Sequence, residues 1–149
     1  MPSRKHPVHG VRVINEQPTI VLVTVCTKNR EPWLATHEIH SLLHSIWKEA
    51  SAWLTGRYMI MPDHLHLFAA PGPQDIPLDN WIRFWKSQFM KQHNKPDRRW
   101  QTDHWDTRLR GSERYAEKWE YVCDNPVRHG LVAQAVDWPF QGEIYVSRW

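Results

Sequence analysis

Hydrophobic and polar positions along this chain switch between a period of two and a period near 3.6. Thr19 to Thr27 (Thr-Ile-Val-Leu-Val-Thr-Val-Cys-Thr) is crowded with β-branched residues and predicts a central strand. Lys28-Asn29-Arg30-Glu31-Pro32 breaks it. Thr36 then offers a hydroxyl to cap a helix, with Glu38 in the first turn, where a negative charge suits the helix dipole. Ile39, Leu42, Leu43, Ile46, Trp47, Ala50 and Trp53 recur at helical spacing, and Gly56 is the expected stop. Arg57 to Met61 predicts a second strand, and His64 to Ala70 a third, antiparallel to it across a Pro62-Asp63 turn. Pro71-Gly72-Pro73 closes that hairpin. Asp79 is expected to cap a second helix, with Leu78, Ile82, Trp85 and Phe89 on one face and Arg83 and Lys86 on the other side. Residues 93–103 read as a polar, basic loop. His104 to Arg110 alternates as a fourth strand, Trp105 and Thr107 on one face, Asp106, Arg108 and Arg110 on the other. Ser112 is expected to cap a third helix that stops at Asn125-Pro126, because a residue before proline avoids the helical region.

The order β-α-β-β-α-β plus a further helix predicts an α+β fold on the ferredoxin-like, split βαβ plan: an antiparallel sheet with helices on one face. Residues 1–18 show no periodicity and are expected to form an arm. Residues 127–149 are expected to pack back on the sheet as a tail. No repeat, low-complexity run or linker divides the chain, so residues 1–149 are expected to form one domain.

Composition narrows the class. The chain is long enough to bury a core. No apolar run approaches the length that crosses a bilayer, and the start of the chain lacks the apolar stretch of a secretory signal. Cys26 and Cys123 stand far apart and match no C-x-x-C pattern, which favours reduced thiols and a cytoplasmic protein. The net charge is only +3, but nine Lys or Arg face four acids between Trp81 and Arg114, a local excess of +5. Trp81, Trp85, Trp100 and Trp105 interleave with those cations, as suits a phosphate backbone with unpaired bases stacked nearby.

Two stretches carry candidate chemistry. In Met61-Pro62-Asp63-His64-Leu65-His66-Leu67-Phe68, strand alternation points His64 and His66 the same way and Leu65 and Leu67 into a core. Two imidazoles two residues apart on a strand form half of a metal site. On the third helix, Tyr115, Trp119 and Val122 gather on the face to be buried. Tyr121 and Asn125 lie one turn apart, well away from it, with Arg114 and Lys118 on their side. A phenol can attack phosphorus once it loses its proton, and nearby cations favour the phenolate over a free phenol with a pKa of about 10. Asn125 offers an oxygen as a third ligand. Two imidazoles with a neutral oxygen suit Mg²⁺ or Mn²⁺ better than a closed structural zinc site. His40 and His44, at i and i+4, lack the glutamate of a His-Glu-x-x-His motif and read as a polar helix face.

Met61-Pro62-Asp63-His64-Leu65-His66-Leu67 and the later run Tyr121-Val122-Cys123-Asp124-Asn125-Pro126-Val127-Arg128-His129-Gly130-Leu131-Val132 together resemble the single-tyrosine transposases with a His-hydrophobe-His motif. The second run, with Trp105-Asp106-x-x-Leu109-Arg110 and Asp137-Trp138-Pro139, looks like the REP-associated branch. The resemblance covers residues 18–142. It implies a bacterial, nucleoid-associated enzyme in which His64, His66 and Asn125 bind a divalent metal and Tyr121 is the nucleophile. Members cut single-stranded DNA beside a short hairpin, form a 5′-phosphotyrosine link, free a 3′-OH, and rejoin strands without ATP. The partner implied is hairpin-bearing single-stranded DNA, bound by a monomer or a homodimer. Arg83, Lys86, Arg108, Arg110, Arg114, Lys118 and Arg128, with Arg4, Lys5 and Arg12 of the arm, are expected to grip it. The alternative is a non-catalytic hairpin-binding protein descended from such an enzyme. His129 and Asp63 stand where Ala and Asn are common in the family.

Overall fold

The computed structural model describes residues 19–146, and before them the backbone of two short strands, β1 (Val13–Ile14) and β2 (Gln17–Pro18), which pair antiparallel. Arg4, Lys5 and Arg12 of the expected arm lie outside the described residues. The remaining elements are β3 (Ile20–Cys26), α1 (His37–Glu49), β4 (Trp53–Ile60), β5 (His64–Pro71), α2 (Leu78–His93), β6 (Trp105–Leu109), α3 (Ser112–Cys123), the short α4 (Asn125–Arg128) and β7 (Gln141–Glu143). The strands form one sheet in the order β6-β3-β5-β4-β7, and every neighbouring pair is antiparallel. Thus β3 and β4 run the same way with β5 between them.

The two sheet faces do different work. Val21, Val23, Val25, Leu65, Leu67, Tyr58 and Ile60 line the face covered by α1 and α2, where Ile39, Leu43, Trp47, Trp81, Trp85 and Phe89 complete the main core. The opposite face carries Met59, Phe68 and Leu22, against which Tyr115, Trp119 and Val122 of α3 pack with Trp138. The expectation of helices on one face therefore holds for α1 and α2 but not for α3. The physical reason is the amphipathic stripe of α3, which needs an apolar surface once the first face is filled. Its bed is the alternate set of strand residues, among them the polar Thr24, His64 and His66 and Arg57, whose guanidinium lies against the Tyr115 and Trp119 rings.

Local readings also shift. Thr36 does cap α1, accepting from the Ile39 N–H at 3.2 Å. The helix ends at Glu49, however, and Trp53 begins β4 rather than closing the helical stripe. The Trp53 indole donates to the Ile76 carbonyl at 2.7 Å. Gly56 lies where the β4–β5 register slips between Thr55 and Tyr58; it marks a bulge, not a helix stop. Neither Asp79 nor Ser112 is a cap: Pro77 and Gly111 hold those positions, and neither makes a side-chain cap bond. Lys86 is buried rather than solvated, its ammonium donating to the Gln101 carbonyl at 2.9 Å. The described part of the tail, residues 127–146, does return to the sheet: Trp138 donates to the Ile60 carbonyl, and β7 pairs with β4.

Candidate metal and nucleophile site

The cross-strand register places the site. His64 sits opposite Cys26, and His66 opposite Thr24 on one side and Met59 on the other. Both imidazoles rise from the face that α3 covers, with ring centroids 5.0 Å apart and planes at 81°. Asn125, buried at the start of α4, brings its Nδ2 to 3.3 Å from His64 Nε2 and 3.3 Å from His66 Nε2.

The outer nitrogens are also held. His64 Nδ1 lies 2.8 Å from Asp63 Oδ1, and His66 Nδ1 2.8 Å from the Thr24 hydroxyl. Asp63 accepts in turn from Arg30 Nε at 3.0 Å. An ionised carboxylate only accepts, so the His64 proton is on Nδ1 and its Nε2 presents a lone pair. The same amide faces His66 Nε2, so His66 shares that tautomer and donates to Thr24. Two lone pairs thus converge on one point, each oriented by an acceptor behind the ring, which is how imidazole ligands of metals are usually held. Burial pushes both imidazoles down from their ordinary values, His66 to about 3, with the neighbouring His64 adding to the shift. Both rings are therefore neutral at pH 7, the form that ligates. The donor set fits a divalent ion.

Tyr121, 64% exposed, stands on the solvent side of α3 over the same sheet face. Its link to the imidazoles is indirect, through Arg128 and then Asn125. The guanidinium lies 3.8 Å from the centroid of the phenol ring, donates to the Tyr121 carbonyl at 2.7 Å and to Asn125 Oδ1 at 3.1 Å. Tyr115, the other phenol of α3, packs edge-on against Phe68 in the core.

Thr24 and Arg30 are site residues that the pattern of the sequence did not single out. Thr24 was hidden in a run read as core strand; only pairing with β5 brings it under His66. Arg30 follows the left-handed Asn29 and is itself left-handed, so the tight turn after β3 aims it back at Asp63.

The expected DNA-gripping cations divide between two places. Arg114, Lys118 and Arg128 lie on the α3–α4 side with the imidazoles. Arg83 and Lys86 instead line a cleft of about 920 Å³ with Lys28, Arg99, Trp100 and Trp105. Arg108 pairs with Val21 and so lies on the face away from the imidazoles, and Arg110 follows the end of β6. Among the described tryptophans only Trp105 is largely exposed. Register puts Trp105, Thr24 and His66 in one row across β6, β3 and β5, so the indole stands two strands from the imidazole on the same face, a span of about 10 Å.

A second donor cluster joins Asp79, His104 and Asp106, whose ligand atoms lie within 4.8 Å of one another. His104 Nε2 is 3.0 Å from Asp106 Oδ2 and 3.4 Å from Asp79 Oδ1. Asp106 pairs with Val23, so this cluster is on the α2 face, across the sheet from His64 and His66. Sequence spacing offered no sign of it, because 25 residues separate Asp79 from His104.

The fold is that of a tyrosine transposase. A solved structure of the REP-associated tyrosine transposase bound to a REP hairpin superposes with a TM-score of 0.74 over 95% of this chain and 81% of that one, at 24% identity. A REP-associated tyrosine transposase of Escherichia coli K12 is 32% identical over 125 residues, 78% of this chain and 72% of the relative. A second relative, from Haemophilus influenzae, carries the name putative REP-associated tyrosine transposase and is 31% identical over 110 residues, 60% of this chain and 62% of its own length. No protein-family profile matches the chain. The chain belongs to the REP-associated tyrosine transposases, a family of enzymes.

Proposed function

We propose that this protein cuts and rejoins single-stranded DNA beside a hairpin, with Tyr121 as nucleophile and His64, His66 and Asn125 as the ligands of a Mg²⁺ or Mn²⁺ ion. The carrying observation is the amide of Asn125, 3.3 Å from both imidazoles, at the start of α4 and four residues after the tyrosine of α3. The solved relative's hairpin supports the substrate class.

In this reading Tyr121 Oη attacks the scissile phosphorus and its proton leaves to solvent. The 3′-oxygen departs as a 3′-OH, and the 5′-phosphate stays on the tyrosine. A second 3′-OH reverses the exchange, so one phosphodiester is made for each one broken. The bound ion would draw charge from the phosphate and favour the phenolate. Asp63 and Thr24 keep the imidazole protons on Nδ1, leaving Nε2 to ligate. Arg30 and Arg128 set positive charge beside the imidazoles, Arg114 and Lys118 extend it along α3, and Trp105 offers a stacking platform for an unpaired base about 10 Å from His66. The cleft of Arg83, Lys86, Lys28 and Arg99 takes backbone phosphates away from the reacting centre. The resemblance left open whether the site is completed within one chain or by a partner; the Asn125–imidazole contacts favour one chain.

The test is incubation with a single-stranded hairpin oligonucleotide and Mn²⁺, followed by a denaturing gel. Wild type gives a protein–DNA adduct and Tyr121→Phe gives none; an adduct of equal yield from Tyr121→Phe would remove the nucleophile from this reading.

A further inference from the structure

One guanidinium bridges the two halves of the site. Arg128 holds the phenol ring of Tyr121, the carbonyl of the same residue, and the amide oxygen of Asn125. The orientation of that amide follows from Asp63. Its carboxylate can only accept, so His64 Nδ1 donates to it and His64 Nε2 must meet a donor. The donor is Asn125 Nδ2, which leaves Oδ1 turned away from the imidazoles and toward Arg128. In this arrangement the amide fills the gap between the rings with the wrong atom: an N–H₂ group cannot ligate a cation. Oδ1 enters the gap only after a half-turn of the amide, and that half-turn breaks the bond from Arg128.

We infer that Arg128 is a positioning residue that couples metal loading to the tyrosine: it locks Asn125 in a metal-excluding orientation and, once that bond is broken, is left with donors beside the Tyr121 ring. Its fork then faces the place where a phosphate approaching the phenol must lie, and guanidinium donors suit a non-bridging phosphate oxygen. The inference rests on the proposed roles of His64, His66, Asn125 and Tyr121. It adds that the apo site resists the ion, and that the guanidinium released by loading is the one presented to the substrate.

Two variants separate this from a structural role. Arg128→Ala removes lock and charge; Arg128→Lys keeps the charge but is shorter and loses the planar guanidinium that lies over the Tyr121 ring and whose Nη2 reaches both the Tyr121 carbonyl and the Asn125 oxygen. Mn²⁺ affinity is measured by calorimetry on the full chain without DNA. Both variants are expected to bind Mn²⁺ about 2- to 10-fold more tightly, the worth of one net hydrogen bond. Adduct formation at saturating Mn²⁺ is expected to fall by about 10²-fold, as for loss of a donor to a reacting phosphate or oxyanion. A residue that merely braces the fold would weaken both. The Asn125 side-chain amide, followed by NMR in wild type, is expected to shift on adding Mg²⁺ and to sit already shifted in Arg128→Ala. Unchanged or weaker Mn²⁺ binding in both variants, or an Asn125 amide signal identical in wild type and variant, overturns the coupling. Wild type that binds no Mn²⁺ overturns the metal reading itself, and the coupling with it.

Discussion

At the scale of single residues, the site depends on which atom each side chain turns inward. His64 and His66 are ligand candidates only because Asp63 and Thr24 hold their Nδ1 atoms and free both Nε2 lone pairs. Trp105 is the sharpest test of the substrate class. Nine other tryptophans are present in the chain, and the described ones are half-buried or buried, as the edge-on group Trp33, Trp85 and Trp100 illustrates. Trp105→Ala is therefore expected to weaken binding of single-stranded DNA by roughly 1–3 kcal/mol, the cost of one lost base–aromatic stack. It should leave thermal stability nearly unchanged, and fluorescence titration with a short oligonucleotide measures the binding. Equal affinities in variant and wild type would assign the stacking elsewhere. Composition announced tryptophans among cations; it carried no information on which indole faces water.

At the scale of elements, β4 shows how the tail and the sheet depend on each other. Its edge is covered by β7, and Gly142 lies against Tyr58, whose hydroxyl would be 2.6 Å from a Cβ at that position. Tyr58 is buried and pinned: its hydroxyl sits 2.7 Å from His40 Nε2 and 3.0 Å from His44 Nδ1, and burial pushes the phenol up to about 12. The ring cannot retreat without losing its contacts to both His40 and His44. Gly142→Ala is expected to cost about 1–3 kcal/mol, the usual penalty of overpacking, read as a lower urea midpoint. A midpoint matching wild type would mean that β7 can lift from the edge without loss. His40 and His44, read from the sequence as a polar helix face, thus act as a clasp on β4. That contact joins two consecutive elements across the turn between them, 14 and 18 residues apart, and spacing within one element does not encode it.

For the whole molecule, the face that α3 covers carries two buried, neutral imidazoles, and this couples stability to pH. In the unfolded chain a histidine takes its proton near 6.5; in the fold, burial depresses His64 and takes His66 to about 3. The unfolded state therefore binds more protons between those values. Stability is full above about pH 6.5 and falls as pH drops toward 3, by at most about 1.4 kcal/mol per pH unit for each proton. Urea unfolding of wild type and His66→Gln at a series of pH values tests this, the variant losing stability more gently; parallel curves would contradict it. Saturating Mn²⁺ acts in the other direction: ion at a hundredfold excess over its dissociation constant adds about 2.7 kcal/mol. The melting temperature should rise in wild type and stay put in a variant lacking both imidazoles. No helix among the described residues is long and apolar enough to cross a membrane.

The alternation around His64 and His66 and the helical stripe of Tyr115, Trp119 and Val122 were legible because each depends on neighbours within one element, where backbone geometry sets the direction of side chains. Asn125-Pro126 misled as a helix stop, since α3 ends at Cys123 and Asn125 opens α4, where a proline in the first turn needs no N–H. Element order implied the antiparallel sheet, and the two separated motifs implied the family. Trp53 and Gly56 misled because a bulge imitates the end of a helical period. Lys86 misled because a cation on the expected outer side of a helix meets the carbonyl of a loop. Only the fold decided that α3 takes the face opposite α1 and α2, that Thr24 and Arg30 serve the imidazoles, and that Arg128 stands between Asn125 and Tyr121. Those are contacts between chain segments that sequence leaves at unknown distance, and strand register and packing alone bring them within bonding reach.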